Sequence, residues 1–248
     1  MLQGDRKKQL VMKKQFGWMT VAVVPMLAAV AVIAAAAVPM LAAMLAGISL
    51  TAIPASAQAQ APAGWKVRVD YSARAADPDG AGQIQFVEEK GGYHATNPQA
   101  AAYWNPANTA TGNYSVKGTF TVLRETSHAE YYGLIFGGQN LDGAQQNYLY
   151  FMVAGNGRWL FKRRAGEDTE EIGGPSPNPA VKTPGADGRS TNALEVRVLA
   201  DKIECVINGT VVHSAAKSGP AARTDGVYGF RINHLLDVQV DGFGMSKL

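Results

Sequence analysis

The chain has 248 residues, 47% of them hydrophobic, with a single cysteine and a formal charge of +3. That charge is carried by one end. Residues 1–14 hold Arg6, Lys7, Lys8, Lys13 and Lys14 against Asp5, so taking 5 from 23 basic and 1 from 20 acidic residues leaves 18 against 19. A near-neutral remainder without a Lys/Arg run lacks the basic face that phosphate neutralisation requires, which excludes a nucleic-acid partner. One cysteine excludes an intrachain disulfide, so the fold must rely on its core.

No charged residue occurs between Lys14 and Lys66. The basic stretch Arg6 to Lys14, the apolar run Thr20 to Pro54 and the small-residue site Ala55-Ser56-Ala57-Gln58-Ala59 follow the grammar of a secretory leader. The apolar run exceeds the usual h-region and is long enough to span a bilayer, so residues 1–59 read as a signal peptide or a membrane anchor. Both readings export the rest of the chain to a periplasmic, extracellular or outer-face location, because the Lys-rich end stays inside. Membrane contact is then confined to this N-terminal segment. Residues 60–64 read as a short linker and 65–248 as one domain.

From Trp65 onward, runs rich in Val, Ile, Tyr, Phe and Thr alternate with polar residues between Gly, Asn, Asp and Pro punctuation, and no sustained 3.6-residue stripe appears. The period of two predicts strands at Tyr114 to Arg124, Glu130 to Phe136, Asn147 to Ala154, Arg158 to Arg163, Ala193 to Leu199, Lys202 to Ile207, Gly226 to Ile232 and Leu236 to Phe243. Asn156-Gly157 and Asn208-Gly209 predict hairpins with primed turns. Four prolines between Gly166 and Thr191 predict a surface excursion and exclude a central strand. Tyr148 to Val153 is apolar on both faces, which predicts a doubly covered strand or a ligand platform. Cys205 alternates with Ile203 and Ile207, the pattern of an inert buried thiol. The fold class is therefore all-β, an antiparallel β-sandwich.

Gly91-Gly92-Tyr93-His94, Tyr103-Trp104-Asn105-Pro106, Tyr132-Gly133-Leu134-Ile135-Phe136-Gly137-Gly138, Asn208-Gly209 and Asp237-Val238-Gln239-Val240-Asp241-Gly242-Phe243 give the chain a family look. It resembles the concanavalin A-like lectin/glucanase sandwiches, and more narrowly the exported LamG-like and DUF1080-like domains, a group that includes 3-keto-disaccharide hydrolases. The resemblance implies a jelly roll with a concave sheet on which many relatives bind glycans. The chain departs from a laminarinase-like glucanase, because it has no Glu-x-Asp-x-x-Glu strand to place two carboxylates on one face.

Candidate chemistry falls into three groups. Glu125, His128 and Glu130 bracket one strand start and offer acid/base groups for a hydrolase. Asp77-Pro78-Asp79-Gly80 presents oxygen donors two apart, a weak calcium candidate that also reads as a plain turn. No two histidines have zinc-ligand spacing, so no metal and no cofactor is otherwise expected. The third group is aromatic and polar: Tyr103, Trp104, Tyr148, Lys162, Arg164, Arg231, Asn233 and His234, with Tyr150 and Trp159 beside them. Rings suit the C–H face of a pyranose, and Arg, Asn and His suit its hydroxyls. Three readings stay open: a non-catalytic module for a carbohydrate or cell-envelope component, a glycoside-cleaving hydrolase resembling the 3-keto-disaccharide group, and a structural envelope protein that binds another protein.

Overall fold

The computed structural model describes residues 61–248 except 125 and 127; the leader, its cleavage site and Glu125 lie outside the described residues. The described chain forms fourteen strands: β1 Lys66–Asp70, β2 Gln85–Glu89, β3 Gly92–Asn97, β4 Ala100–Ala110, β5 Tyr114–Val122, β6 Tyr131–Gln139, β7 Asn147–Ala154, β8 Arg158–Ala165, β9 Asp168–Pro177, β10 Ser190–Val198, β11 Lys202–Ile207, β12 Thr210–Ala216, β13 Gly226–Ile232 and β14 Leu236–Lys247. They pair into two seven-stranded antiparallel sheets. Sheet 1 has the order β1-β4-β13-β6-β7-β8-β9, and sheet 2 the order β12-β11-β10-β5-β14-β3-β2. The only helical element among the described residues is a single 3-10 turn, Gly219–Ala221.

Alternation builds the core. In β10, Leu194, Val196 and Val198 face inward, and in β7 the inward set is Leu149, Phe151 and Val153. These meet Phe120, Tyr132, Phe136, Phe161, Ile203, Cys205 and Phe230 between the sheets. The opposite set of β7, Tyr148, Tyr150 and Met152, joins Ala102, Trp104 and Ile135 in a second buried cluster. Both faces of β7 are therefore apolar and buried, as its unbroken apolar run requires.

Several local expectations change once the pairing is in view. Asn208-Gly209 is a primed turn, with φ of 49° and 82°. At Asn156-Gly157 only the glycine has positive φ, and the Gly157 amide donates to the Ala154 carbonyl at 3.1 Å. That is a three-residue loop of the type I plus bulge kind, so the expected primed turn is replaced by a longer connection. The Pro-rich excursion contributes β9, at the edge of sheet 1. Pro175 and Pro177 are accommodated there because an edge strand has one unpaired side and its ladder with β8 is bulged between Trp159 and Lys162. Its acidic start pairs with basic residues of β8, Arg163 to Glu170 at 3.4 Å and Arg164 to Glu167 at 3.3 Å. Residues 61–64 form a turn, the Trp65 amide donating to the Pro62 carbonyl at 2.9 Å, with Ala61 packed on the core.

Cys205 lies sealed between the sheets, and burial pushes its thiol well up. Only a thiolate reacts readily, so a maleimide or Ellman reagent is expected to leave the folded protein unmodified and to label one thiol per chain in denaturant. Rapid labelling under native conditions would contradict this packing.

Candidate functional site

Three connections that carry the chain from one sheet to the other end in the same place: residues 71–84 between β1 and β2, 123–130 between β5 and β6, and 233–235 between β13 and β14. The β3–β4 turn braces them. Gln99 donates from Nε2 to the carbonyls of Gly80 and Gly82 at 3.0 and 3.1 Å, and Asn97 donates from Nδ2 to the Ile232 carbonyl at 3.2 Å. A cleft of about 630 Å³ opens beside this junction, lined among others by Arg68, Asp70, Tyr71, Arg164, Arg231 and Asn233.

One wall of the cleft belongs to sheet 1. Arg231 sits in β13 with Ala102 and Gly133 as its lateral partners, so small neighbours on both sides leave room for a guanidinium along the sheet surface. Its Nη1 donates to the Asp70 carboxylate and to the Tyr148 hydroxyl, the latter at 3.2 Å. Arg68 donates from Nε to the other Asp70 oxygen at 3.2 Å. Burial alone would raise Asp70, yet Arg231, Arg164 and Arg68 together hold its carboxyl below the ordinary range. Burial opposes the charge on Arg231 too, but Tyr148 and Asp70 outweigh it and raise the guanidinium further. Arg164 is anchored through Nε on the Gly166 carbonyl at 2.9 Å. At the rim Tyr71 is 75% exposed.

The other wall holds a dense set of imidazoles and carboxylates. The segment Ser72 to Asp79 closes on itself: the Ser72 amide donates to Asp79 Oδ2 at 2.8 Å, and the Ser72 hydroxyl donates to the Asp77 carbonyl at 2.6 Å. The free Asp79 oxygen, Oδ1, meets His234 Nδ1 at 3.1 Å. A carboxylate there accepts a hydrogen bond from the Nδ1–H, which leaves His234 Nε2 to face inward. Leu235, at a φ of 59°, makes the tight turn that presents His234. The Asn233 amide nitrogen donates to Tyr131, extending the β13–β6 ladder by one bond, and its side chain donates to Glu130 Oε2 at 2.9 Å.

At the centre His234 Nε2 lies 3.1 Å from Glu130 Oε1 and 3.2 Å from Asp77 Oδ1. His128 Nε2 lies 3.0 Å from each of the same two oxygens and 3.5 Å from His234 Nε2. Glu130 and His234 are buried, whereas His128 is at the surface. Burial alone would lower His234, but Asp79, Glu130 and Asp77 raise it above the ordinary imidazole value.

The fold thus gathers residues that the sequence offers as unrelated groups. Glu130 and His128 from the acid/base set, Asp77 and Asp79 from the calcium candidate, and Asn233 and His234 from the sugar-contact set share one site. Arg164 and Arg231 line the adjoining cleft, with Tyr148 beneath Arg231. Lys162 lies on β8, paired with Glu171 at 3.7 Å. Trp104 and Tyr150 belong to the buried cluster on the same sheet face. Tyr103 and Trp159 are core residues between the sheets; the Tyr103 hydroxyl donates to Asn97 Oδ1 at 2.5 Å, so the ring faces away from the cleft. Alternation places Tyr103 opposite Trp104, and which of the two faces inward depends on strand pairing that the motif alone does not contain. Tyr71 and Arg68 escape a motif search because they stand in the weakly patterned edge strand β1 and its exit.

No protein-family model matches the chain, and no curated protein sequence matches it. Solved structures do resemble it. The carbohydrate binding module CBM66 from Bacillus subtilis superposes with a TM-score of 0.54 at 11% identity, covering 74% of this chain and 96% of the module. A Bacillus subtilis protein of unknown function with a galectin-like fold gives 0.49 at 14% identity, over 74% and 89% of the two chains. Sheep galectin-11 gives 0.39 at 13% identity, over 56% and 92%. The likeness to the binding module is one of fold, an antiparallel two-sheet sandwich of the jelly-roll kind.

Proposed function

We propose that the chain is an exported, non-catalytic glycan-binding module whose saccharide lies in the cleft beside Arg231. The observation that carries the reading is Tyr71, a ring 75% exposed at the rim of a cleft whose floor consists of fixed hydrogen-bonding groups. A monosaccharide ring needs this pairing: an aromatic face for its C–H surface and charged or amide groups for its hydroxyls. Arg164 and Arg231 are already held by protein partners, so little side-chain freedom remains to be lost on binding. The fold shared with a carbohydrate binding module and the leader-like sequence of residues 1–59 support the same reading.

The test is a glycan array on the full-length protein, followed by calorimetry on each sugar retained. Arg164→Ala is expected to weaken binding about tenfold or more, the loss of one hydrogen bond to a charged group. Tyr71→Ala is expected to weaken it roughly two- to tenfold, the worth of one aromatic contact. Unchanged affinity in both variants would move the sugar out of this cleft. The hydrolase reading draws on the DUF1080-like resemblance and on the 3.0 Å approach of His128 Nε2 to Glu130 Oε1. Mass analysis of each bound sugar separates the two, because cleavage products would sink the non-catalytic reading.

A further inference from the structure

We infer that Asp77, His128, Glu130 and His234 form a tetrahedral site for a first-row divalent transition metal, with Zn²⁺ the ion that fits its donor set. Bonds of 2.0–2.1 Å to four tetrahedral donors require donor-to-donor edges of about 3.3 Å. Five of the six edges here run from 3.0 to 3.5 Å, and all four donor atoms lie within 4.8 Å of one another. The two imidazole nitrogens and two carboxylate oxygens cluster at these distances, and Glu130 and His234 are buried. With Nδ1 of His234 donating to Asp79, a neutral His234 turns its Nε2 lone pair toward Glu130 and Asp77, and a cation at the centre offsets the repulsion of these like partial charges.

The outer partners agree. A metal-bound histidine usually gives its second ring proton to a carboxylate, and a ligating carboxylate is usually held by a donor on its other oxygen. Asp79 takes the first role for His234, fixed in turn by the Ser72 amide, and Asn233 takes the second for Glu130. The donor set also selects the ion. Calcium takes six to eight oxygens and magnesium an octahedral oxygen shell, whereas two imidazoles with two carboxylates suit zinc and its neighbours. Two carboxylates balance the charge of a divalent ion. With four protein donors the coordination is closed, which is the structural rather than the catalytic pattern. The ion would tie all three sheet-crossing connections together, with the cleft at its side.

The experiment uses full-length, tag-free protein stripped with EDTA and then titrated with Zn²⁺ by calorimetry in the absence of sugar, so it stands or falls independently of glycan binding. One equivalent per chain is expected, together with a higher thermal midpoint. Co²⁺ in its place is expected to give the intense visible bands of four-coordinate cobalt. His128→Ala, His234→Ala and Glu130→Gln should each abolish stoichiometric uptake, while His94→Ala should retain it, since His94 pairs with Asp237 in sheet 2. Circular dichroism checks that each variant folds. Should a donor variant fail to fold, Asp79→Asn keeps all four donors and is expected to weaken Zn²⁺ about 10–100-fold. Absence of stoichiometric uptake by the wild type, unchanged Zn²⁺ affinity in the donor variants, or preference for Ca²⁺ over Zn²⁺ would each overturn the assignment.

Discussion

Replacing Phe230 by alanine is expected to lower the unfolding free energy by about 3–5 kcal/mol, the cost of deleting a buried aromatic side chain from a core that only partly collapses. The ring is fully buried at the point where both sheets contribute aromatic residues. It stacks on Tyr103 with centroids 5.1 Å apart, and meets Trp65 at 5.4 Å, Phe86 at 5.8 Å and Phe243 edge-on at 5.4 Å. The loss therefore removes several ring–ring contacts as well as apolar area. Phe230→Leu should recover much of the loss, because it leaves a smaller void. Urea unfolding of the two variants checks this, and a change below about 1 kcal/mol in Phe230→Ala would mean that the surrounding rings close the cavity. The functional consequence is local: Phe230 and Arg231 are neighbours in β13, one facing the core and the other the cleft, so a loosened strand also loosens the cleft wall.

The same alternation explains how far the sequence could be read. Strands with a strong apolar signal, the unbroken run of β7 and the apolar stretches of β11 and β13, are legible to the residue. The edge strands β1, β2 and β12 are not, because a strand exposed along one side carries little apolar signal. β4 was hidden for a different reason. Pro106 breaks the pattern, yet it sits where the ladder with β13 skips between Trp104 and Thr109, so no amide donor is required of it. The site was legible as ingredients and not as a place. His128 and Glu130 suggest proton transfer, Asp77 and Asp79 suggest oxygen ligation, and Asn233 and His234 suggest a binding turn. His234 lies 104 residues from Glu130 and 155 from Asp79, so no spacing rule reaches between them. What unites them is topology: each lies in a connection that crosses between the sheets at the same end. A sequence gives the donors; strand order decides which of them meet.

Asp70→Asn is expected to cost about 3–5 kcal/mol, as large as a core deletion, although the change is isosteric. The reason is electrostatic. Asp70 and Arg231 have side chains only 12% and 11% exposed, and removal of one partner leaves the other charge desolvated without compensation. Here the remaining charge would also face Arg68, whose partner is the same carboxylate, and Arg164 nearby. The pH dependence follows from the depressed carboxyl. A group whose folded-state value lies below its ordinary 3.8 contributes stability that is present above that value and fades as pH falls through the folded one. The gap between wild type and Asp70→Asn should therefore be full near neutrality and shrink below about pH 4. Arg231→Met in the Asp70→Asn background should restore part of the lost stability, because a pair uncharged on both sides no longer strands a charge. It should not restore sugar binding under the proposed function, in which the guanidinium contacts the saccharide. A pair that served stability alone would show the opposite, with glycan affinity returning alongside the fold. Chemical denaturation across pH, paired with calorimetry on the double variant, separates the two roles of Arg231.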